Sequence, residues 1–224
     1  FVSDNMMQDQ LKLYPDCKGN FQVVSTGFDE DDMCFSNSDI QIASKKYSNH
    51  ISHVGMLDSN MNVDDVITLL SDERVQSFLD KNSLKFLFVG SKTSTITDVL
   101  PQSILDKYCD VVGAVSKYEA LLINKSSHLS LILGSNSAQR LNRKVFEVVR
   151  LSKRVFYIGN VNSPTAKVIK YCNSGNVISG GSGDLVECFI GSLIKDERKT
   201  IHNNIKDFNK VNLVARFMKF VNGR

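Results

Sequence analysis

The feature of this sequence that most constrains its fold is an alternation of short apolar runs with segments of helical spacing. Five apolar runs, most of them rich in β-branched residues and several ending in glycine, lie at 84–90, 110–115, 129–134, 154–160 and 176–179. Continuous apolar runs of this length are typical of strands that are buried on both faces of a sheet. Helical spacing is found at 97–108, 136–152, 164–172 and 183–197. The alternation predicts an α/β, Rossmann-like fold, with a parallel sheet of five strands and helices on both faces.

The segments on either side of this alternation have weaker patterns. Residues 1–34 are polar and only weakly periodic, so they are predicted to form an irregular arm with one strand at 21–26. Apolar residues recur at helical spacing through 63–82, which predicts a single helix there. The last segment, from about 196 to 222, is predicted to be a basic helix.

Net charge sets limits on the partners of the chain. The formal net charge of +3 is too small for an electrostatic footprint of nucleic acid across the whole chain. The tail 195–224 has eight Lys and Arg residues against three Asp and Glu residues, while 27–33 is an acidic cluster. A solvated surface is the simpler interpretation of both segments, and RNA contact through the basic tail is the alternative. No apolar run is long enough to span a membrane.

The cysteines and histidines give little indication of a metal site or of disulfides. The five cysteines form no C-x-x-C pair, so they are interpreted as reduced thiols of an intracellular protein, with Cys109 and Cys188 in the core. His50 and His53 have the spacing of a metal-binding pair but lack an evident third ligand. A surface loop is the favoured interpretation of that pair, and no metal site is predicted.

Glycines at the ends of the predicted strands are the candidate ligand-binding positions. Parallel sheets bind ligands beyond the carboxyl ends of their strands, where glycine lets backbone N–H groups approach phosphate. Lys92 is the one cation that the pattern places near these turns, and Asp184 is the one carboxylate directly after a glycine turn. A nucleotide cleft and ordinary turn punctuation are equally good explanations. The candidate positions are Gly90, Lys92, Gly113, Gly159, Gly180 and Gly181.

Two well-known motifs, one for phosphate binding and one for a catalytic nucleophile, are not found in this sequence. It contains no G-x-x-x-x-G-K-[ST] phosphate loop and no G-x-S-x-G nucleophile elbow. The stretch "NVISGGSGDLVECF" (176–189) combines a strand, a glycine turn and a helix, but it opens the last unit of the alternation. Too little chain follows it for the strands that methyltransferases and dinucleotide-binding folds require, so these two classes, the P-loop NTPases and the α/β-hydrolases are disfavoured.

Four segments, taken in order, resemble phosphoglycerate kinase. "FSNSDIQIASKKYSNHISHVGM" (35–56) looks like that family's "YVNDAFGTAHRAHSSMVG", and 69–122 resembles its interdomain helix with the "GGAKVSDK" and "GGGM" turns. Residues 131–160 are similar to the part that runs from "DIGPES" to "WNGP", and 176–189 to "TIIGGGDTAAAVEKF". The resemblance implies the C-terminal nucleotide domain of the family, with ATP or ADP and Mg²⁺ as the ligands.

The departures from this family fall on its charged residues. Lys92 keeps the first phosphate-facing lysine, but Ile96 stands in place of the second. Ser182 occupies the position of the metal-binding Asp, and Asp184 follows two residues late. Losing groups that stabilise a transition state electrostatically costs about 10²- to 10³-fold each. The resemblance therefore implies a pseudoenzyme with no catalytic residues, no cofactor and only vestigial nucleotide-binding positions.

These comparisons lead to a division of the chain and a hypothesis about its function. The division is an arm with a remnant of an N-terminal domain (1–62), a connecting helix (63–83), an α/β domain (84–195) and a basic helical extension (196–224). The function expected is that of a structural or interaction subunit bound to other proteins of a larger, mitochondrial or ribosomal, assembly. The alternative is a nucleotide-binding regulatory subunit or a residual phosphotransferase.

The C-terminal helix offers a surface for either packing or binding. Its apolar face is predicted to cover the chain's own sheet, and a partner-binding face is the alternative. The residues of that face are Ile201, Ile205, Phe208, Val211, Leu213, Val214, Phe217, Met218 and Phe220.

Overall fold

The computed structural model describes residues 1–17, 19–152, 154–194 and 203–223, and within them one parallel sheet of six strands forms the centre. The order of the strands across the sheet is β3-β2-β1-β4-β5-β6, and every neighbouring pair is parallel. The predicted α/β, Rossmann-like sheet is therefore confirmed. The strands are β1 His50–Val54, β2 Lys85–Val89, β3 Cys109–Val112, β4 Leu129–Leu133, β5 Val155–Ile158 and β6 Gly175–Ile178.

Helices connect the strands and cover both faces of the sheet. They are α1 Asp4–Leu13, α2 Asn37–Tyr47, α3 Val63–Ser71, α4 Glu73–Asn82, α5 Ser94–Thr97, α6 Gln102–Tyr108, α7 Lys117–Ser126, α8 Val145–Leu151, α9 Pro164–Tyr171, α10 Leu185–Ile194 and α11 Lys210–Val221, with 3-10 turns at Asp31–Met33 and Asn203–Phe208. Serine caps several of them: Ser163 Oγ accepts a hydrogen bond from the N–H of Ala166, and Pro164 occupies the first turn of α9.

Alternate side chains of each strand enter cores on opposite faces of the sheet. Phe86 and Phe88 of β2 pack with α3, α4, α6 and α10, whereas Leu87 and Val89 face α2 and α7. Strand β5 divides in the same way, with Phe156 toward the first core and Tyr157 toward α8 and α9. Because both faces are covered, these strands are apolar throughout, which is why the sequence revealed them.

Strand β1 lies in the middle of the sheet, and the prediction of five strands omitted it. Its sequence, HISHV, places polar Ser52 and His53 in a strand that pairs with both β2 and β4. The prediction of a surface loop at the two histidines was therefore wrong. His50 is hydrogen-bonded to Asp110 at the amino edge of the sheet, with 2.8 Å between Nε2 and Oδ2, and His53 is 4% exposed near the carboxyl edge.

Polar side chains that cap the backbone account for two wrong helix predictions. The helix predicted at 63–82 is two helices, because Asp72 adopts an extended conformation and its Oδ1 accepts a hydrogen bond from the N–H of Arg74. The helix predicted at 136–152 begins only at Val145. Ahead of it, Ser137 Oγ accepts from the N–H of Gln139, and Asn142 Oδ1 accepts from that of Lys144. Such local bonds compete with helix formation.

The N-terminal segment is more ordered than an irregular arm, although the strand predicted at 21–26 is absent from these described residues. Helix α1 is fixed to loops of the sheet, because Asn5 Nδ2 donates to the carbonyl oxygen of Ala138 at 2.7 Å. Phe28, which follows, is 1% exposed in the core under α8 and α9.

The C-terminal segment packs through only part of its apolar face. Ile205 and Leu213 are buried and the ring of Phe208 packs at a tilt against that of Phe146, so part of the predicted apolar face covers the chain's own core. The described part of the predicted helix is a 3-10 turn followed by α11. The remaining residues of the predicted face are exposed on α11, except Ile201, which lies outside the described residues. Within the described part of the chain, no helix has the length and apolar content needed to cross a membrane.

Candidate functional site

The strand order creates a crevice at the carboxyl edge of the sheet, between β1 and β4. The chain passes from β1 outward to β2 and β3, and then returns to the other side of β1 to build β4, β5 and β6. Backbone pairing of β1 with β4 comprises Ile51 with Leu129 and Ser52 with Ser130. Loops 55–62 and 134–144 then leave the sheet on the two sides of this topological switch point. In open α/β sheets, this is where ligands bind.

Gly55 and Gly90 bring the backbone of the first two loops into close contact. The N–H of Gly55 donates to the carbonyl oxygen of Val89 at 2.8 Å. Gly90 has φ +137°, and a Cβ there would lie 2.2 Å from the carbonyl oxygen of Gly55. Gly90 is therefore needed for packing of the backbone at this edge, whatever the ligand. Its predicted part in nucleotide binding stays a prediction.

Gly180 and Gly181, after β6, contact the start of helix α3. A Cβ on Gly180 would lie 1.9 Å from Nδ2 of Asn62, and the N–H of Gly181 donates to Oδ1 of Asp65 at 2.9 Å. Asp65 is 7% exposed. The backbone N–H of Asn62 in turn donates to the carbonyl oxygen of Gly134 at 2.9 Å. These bonds join the loops that follow β1, β4 and β6.

The two other predicted glycines differ in their surroundings. Gly159 lies against the buried ring of Tyr157, whose hydroxyl is hydrogen-bonded to Ser163 at 2.9 Å. Gly113 follows the edge strand β3, and a Cβ there would meet no atom within 4 Å. The structure thus brings the loops of Gly90, Gly180 and Gly181 to the crevice, while Gly113 lies at the far side of the sheet.

Cations other than Lys92 also lie on the loops that border the crevice, which the sequence pattern did not indicate. Arg140 and Lys144 come from the loop after β4, which was predicted to be helical. Arg140 lies 3.8 Å from Asp58 Oδ2, and Lys144 Nζ donates to the carbonyl oxygen of Val54 at 3.4 Å. The N–H of Asn60 lowers the pKa of Asp58, and the positive charges of Lys92 and Arg140 lower it further. Asp58 is therefore ionised near neutral pH, and its negative charge lies close to the positive charges of Lys92 and Arg140.

Lys92 occupies an unusual backbone conformation for its residue type. Its φ is +61°, in the left-handed region, and its carbonyl oxygen accepts a hydrogen bond from Thr95 Oγ1 at 2.8 Å. Such strain costs on the order of 1 kcal/mol and is concentrated at functional sites. The lysine side chain is exposed, and its charge lowers the pKa of Asp58.

His53 is the buried titratable group of the crevice. Its Nδ1 lies 3.2 Å from the carbonyl oxygen of Leu131, and Nε2 has no hydrogen-bond partner among the described residues. Burial lowers the pKa of His53 to about 4, and the nearby Lys144 charge contributes, although the carbonyl groups of Leu131 and Met56 oppose the shift. The imidazole is therefore neutral at physiological pH.

Acidic and sulfur side chains do not assemble a metal site in the described part of the chain. Asp184 precedes helix α10 and its N–H donates to Ser182 Oγ at 3.4 Å. No group of three or more His, Cys, Asp or Glu side chains within the described ranges could hold a metal ion. All five cysteines are free. Cys109 is buried as predicted, whereas Cys188 is exposed because Phe189 is the residue that α10 turns inward.

Sequence analysis missed most of the residues that border the crevice. His53 belongs to the unrecognised strand and Gly55 directly follows it, whereas Arg140 and Lys144 belong to a loop that has helical spacing of apolar residues. The available signal was the stretch "SNSAQRLNRK" (135–144), in which Ser and Asn residues favour turns and precede the basic ones.

Several solved structures superpose on nearly the whole of this chain. The glycosyltransferase WaaG of lipopolysaccharide biosynthesis superposes with a TM-score of 0.72 at 17% identity, over 100% of this chain and 62% of that one. Anabaena HepE in complex with UDP and glucose gives 0.68 at 14%, over 97% and 62%. Sucrose-phosphate synthase from Thermosynechococcus elongatus gives 0.70 at 11%, over 99% and 57%.

The chain shares its fold with glycosyltransferases. At these identities the likeness establishes the fold alone, and the chain spans about three fifths of the length of the neighbours it matches. The sequence matches no protein-family model and no curated protein.

These neighbours correct the sequence-based identification. The resemblance to phosphoglycerate kinase was wrong, because glycine turns recur in order in any series of parallel βα units. The segment 35–56, compared with the end of that family's N-terminal domain, instead forms α2 and the central strand β1. The hypothesis of a non-catalytic pseudoenzyme subunit is likewise overturned by structural likeness to enzymes that transfer sugars, and the phosphotransferase alternative has no support.

Proposed function

We propose that this chain binds a nucleoside-diphosphate sugar in the crevice between β1 and β4, as the donor-binding part of a glycosyltransferase. The observation that carries the proposal is the position of Lys92, Arg140 and Lys144 on loops around the switch point of a fold shared with glycosyltransferases. The crevice is the part of this fold in which a ligand meets backbone N–H groups and cations together.

The chemistry of the crevice favours a diphosphate. Lysine and arginine bind phosphate oxygens through charge-assisted hydrogen bonds, which are roughly twice as strong as neutral ones. Helices α3, α9 and α10 begin at this edge of the sheet, and helix N-termini favour anions. Gly55 leaves the backbone accessible beside Lys144, whose Nζ would lie 3.6 Å from a Cβ at that position.

The same cations would assist transfer of the sugar. When the bond between the sugar carbon and the phosphate oxygen breaks, negative charge develops on the departing diphosphate. Positioned cations stabilise such charge, and removing one electrostatic donor from a transition state costs about 10²- to 10³-fold in rate. Arg140 and Lys144 are the residues assigned to this role.

UDP is the nucleotide chosen to test the proposal. HepE and the S. aureus protein TarM were both solved in complex with UDP. Because this chain spans about three fifths of the length of WaaG and HepE, the proposal for this part of the protein concerns donor binding. The acceptor of the sugar is left unassigned.

Calorimetric titration of the whole chain with UDP, and with ADP in parallel, tests the proposal. The expected result is saturable 1:1 binding of UDP with a dissociation constant below about 1 mM. Affinity should fall as salt rises, because phosphate contacts with surface cations are screened. Absence of a heat signal and of any thermal shift at about 10 mM UDP, a concentration at which even a site of millimolar affinity is mostly occupied, would refute it.

A further inference from the structure

The space over Gly55 is bordered by two groups of different chemistry. A Cβ built on Gly55 would lie 3.7 Å from His53 Nε2 and 3.6 Å from Lys144 Nζ. Apart from the adjoining residues of the chain, no other heavy atom of the described residues lies within 4 Å of that point. A group entering this space would therefore meet a cation and an imidazole nitrogen at once.

The imidazole nitrogen in this space is a hydrogen-bond acceptor. A carbonyl oxygen can only accept, so the contact with Leu131 requires the proton on Nδ1 and leaves a lone pair on Nε2. His53 is 4% exposed, and the carbonyl group of Met56 also lies near its ring, but within the described ranges Nε2 makes no hydrogen bond. Leaving a buried polar atom unpaired costs about 1 to 3 kcal/mol, and natural proteins leave few such atoms.

A second unpaired acceptor lies on the loop that follows β1. Asn62 Nδ2 donates to Asn136 Oδ1 at 3.1 Å, which orients the amide, and its Oδ1 is buried with no partner in the described part of the chain. Lysine and arginine can only donate hydrogen bonds, so they bind the phosphate oxygens of a ligand and cannot bind its hydrogen-bond donors. His53 Nε2 and Asn62 Oδ1 are unpaired acceptors, and their natural partners are O–H groups of a ligand.

We infer that His53 is a specificity-determining residue, whose Nε2 accepts a hydrogen bond from a sugar hydroxyl adjacent to the phosphate bound by Lys144. This inference rests on the proposed function and adds to it the part of the ligand that is recognised. The hydroxyl belongs either to the ribose of the nucleotide or to the transferred sugar. Lys144 Nζ borders the space over Gly55 in the free protein, 3.6 Å from the Cβ position, and the inference requires the lysine side chain to turn toward the phosphate when the ligand binds.

Three probes with the wild-type chain and a His53→Phe variant test this inference. Inorganic pyrophosphate has no sugar hydroxyl, UDP has the hydroxyls of ribose, and UDP-glucose has the hydroxyls of both ribose and glucose. Phe fills the volume of the imidazole but cannot accept a hydrogen bond. Affinity for hydroxyl-bearing ligands should fall roughly three- to tenfold, the ratio that one neutral hydrogen bond carries, while pyrophosphate affinity stays unchanged.

The pattern of losses identifies the hydroxyl. A loss for UDP-glucose alone assigns it to the transferred sugar, and an equal loss for UDP and UDP-glucose assigns it to ribose. An equal loss of affinity for pyrophosphate would show that His53 only supports the shape of the loop. Unchanged affinity for all three probes would show that the ligand makes no hydrogen bond to His53. Either of these two results overturns the inference and leaves the proposed function standing. Absence of UDP binding by the wild type overturns both.

Gly55→Ala provides a second variant that does not disturb the buried histidine. The added methyl makes only ordinary contacts in the free protein, at 3.6 and 3.7 Å, but occupies the space over the backbone. We expect unchanged thermal stability and at least a tenfold loss of UDP-glucose affinity, a factor that corresponds to about 1.4 kcal/mol. Gly191→Ala on α10, where a Cβ meets nothing within 4 Å, is the control. If His53→Phe does not fold, unchanged affinity in Gly55→Ala overturns the inference.

Discussion

Asp65 accepts a hydrogen bond of 2.9 Å from the backbone N–H of Gly181 and so joins the helix after β1 to the loop after β6. The two residues are 116 positions apart in the sequence. Gly181 has φ +69°, a conformation that favours glycine. The loop after β6 and the start of α3 form the far wall of the crevice, and this hydrogen bond holds them together.

Replacing Asp65 with Ala is therefore expected to loosen that wall. The N–H of Gly181 loses its buried acceptor, which should reduce the free energy of unfolding by about 1 to 2 kcal/mol. Hydrogen exchange of the Gly181 amide should become faster, as measured by NMR. Asp64→Ala, at the exposed neighbouring position, is the control. Unchanged exchange at Gly181 in Asp65→Ala would contradict the assigned contact.

Gly90 and Gly113 were predicted as equivalent glycines of a nucleotide cleft, and the structure separates them. In Gly90→Ala the new Cβ meets the Gly55 carbonyl oxygen at a φ that L-residues rarely adopt, so we expect a loss of about 3 kcal/mol or more. In Gly113→Ala the Cβ enters open space, and stability should change by less than about 0.5 kcal/mol. Urea denaturation of both variants measures the difference. Equal effects would contradict the packing described for Gly90.

Lys144 is expected to contribute more to ligand binding than to folding. In Lys144→Ala, UDP affinity should fall by about tenfold, because one charge-assisted hydrogen bond to phosphate is lost. The melting temperature should stay nearly constant. Lys81→Ala, in the last turn of α4 at the opposite edge of the sheet, removes the same charge and should bind UDP as the wild type does. Equal affinity of the two variants would refute the role of Lys144.

The low pKa of His53 predicts how stability responds to acid. Its folded-state pKa of about 4 lies below the ordinary value of 6.5, so the unfolded chain binds the proton more readily between these values. This group therefore contributes stability above pH 6.5 that is lost as pH falls toward 4, by roughly 3 kcal/mol in total.

His53→Phe removes this contribution and the unpaired nitrogen with it. Denaturant unfolding of both proteins from pH 7 to pH 4 should show a shallower loss of stability in the variant. At pH 7 the variant should be as stable as the wild type or more stable, because it no longer buries an unpaired nitrogen. Residues that serve binding often lower stability in this way. Parallel pH profiles would contradict the described burial of the imidazole.

Much of the fold could be predicted because burial leaves a pattern in the sequence. Strands such as β2 and β5 are covered on both faces and are apolar throughout. Strand β1 was missed because two buried polar residues, Ser52 and His53, interrupt its apolar run at the switch point. A strand at a binding site loses the pattern by which buried strands are recognised.

The candidate site was less predictable than the fold, since its residues come together only through strand order. Nothing in the local sequence indicates that Gly181 meets Asp65, or that Lys144 lies beside Gly55. The loop 135–144 has helical spacing, yet its Ser and Asn side chains bond to the backbone and turn its basic residues toward the crevice. The glycine turns were located correctly, but they are shared by many parallel sheets.

Thiol reactivity offers an independent check of the packing. Burial raises the pKa of the Cys109 and Cys172 thiols to about 12, and the charges of Asp110 and Asp207 add to it. Cys17, Cys34 and Cys188 are exposed. Brief treatment of the native protein with iodoacetamide should modify these three and spare the other two, as read by peptide mass spectrometry. Rapid modification of Cys172 would contradict the packing of α9.

The location of bound UDP, mapped by NMR amide shifts on the whole chain, tests the central claim most directly. The account predicts that the largest shifts lie in loops 55–62, 90–92 and 134–144, with smaller ones at Gly180 and Gly181, and that they saturate together. Shifts that cluster away from the carboxyl edge of the sheet, or no shifts at saturating UDP, would contradict it.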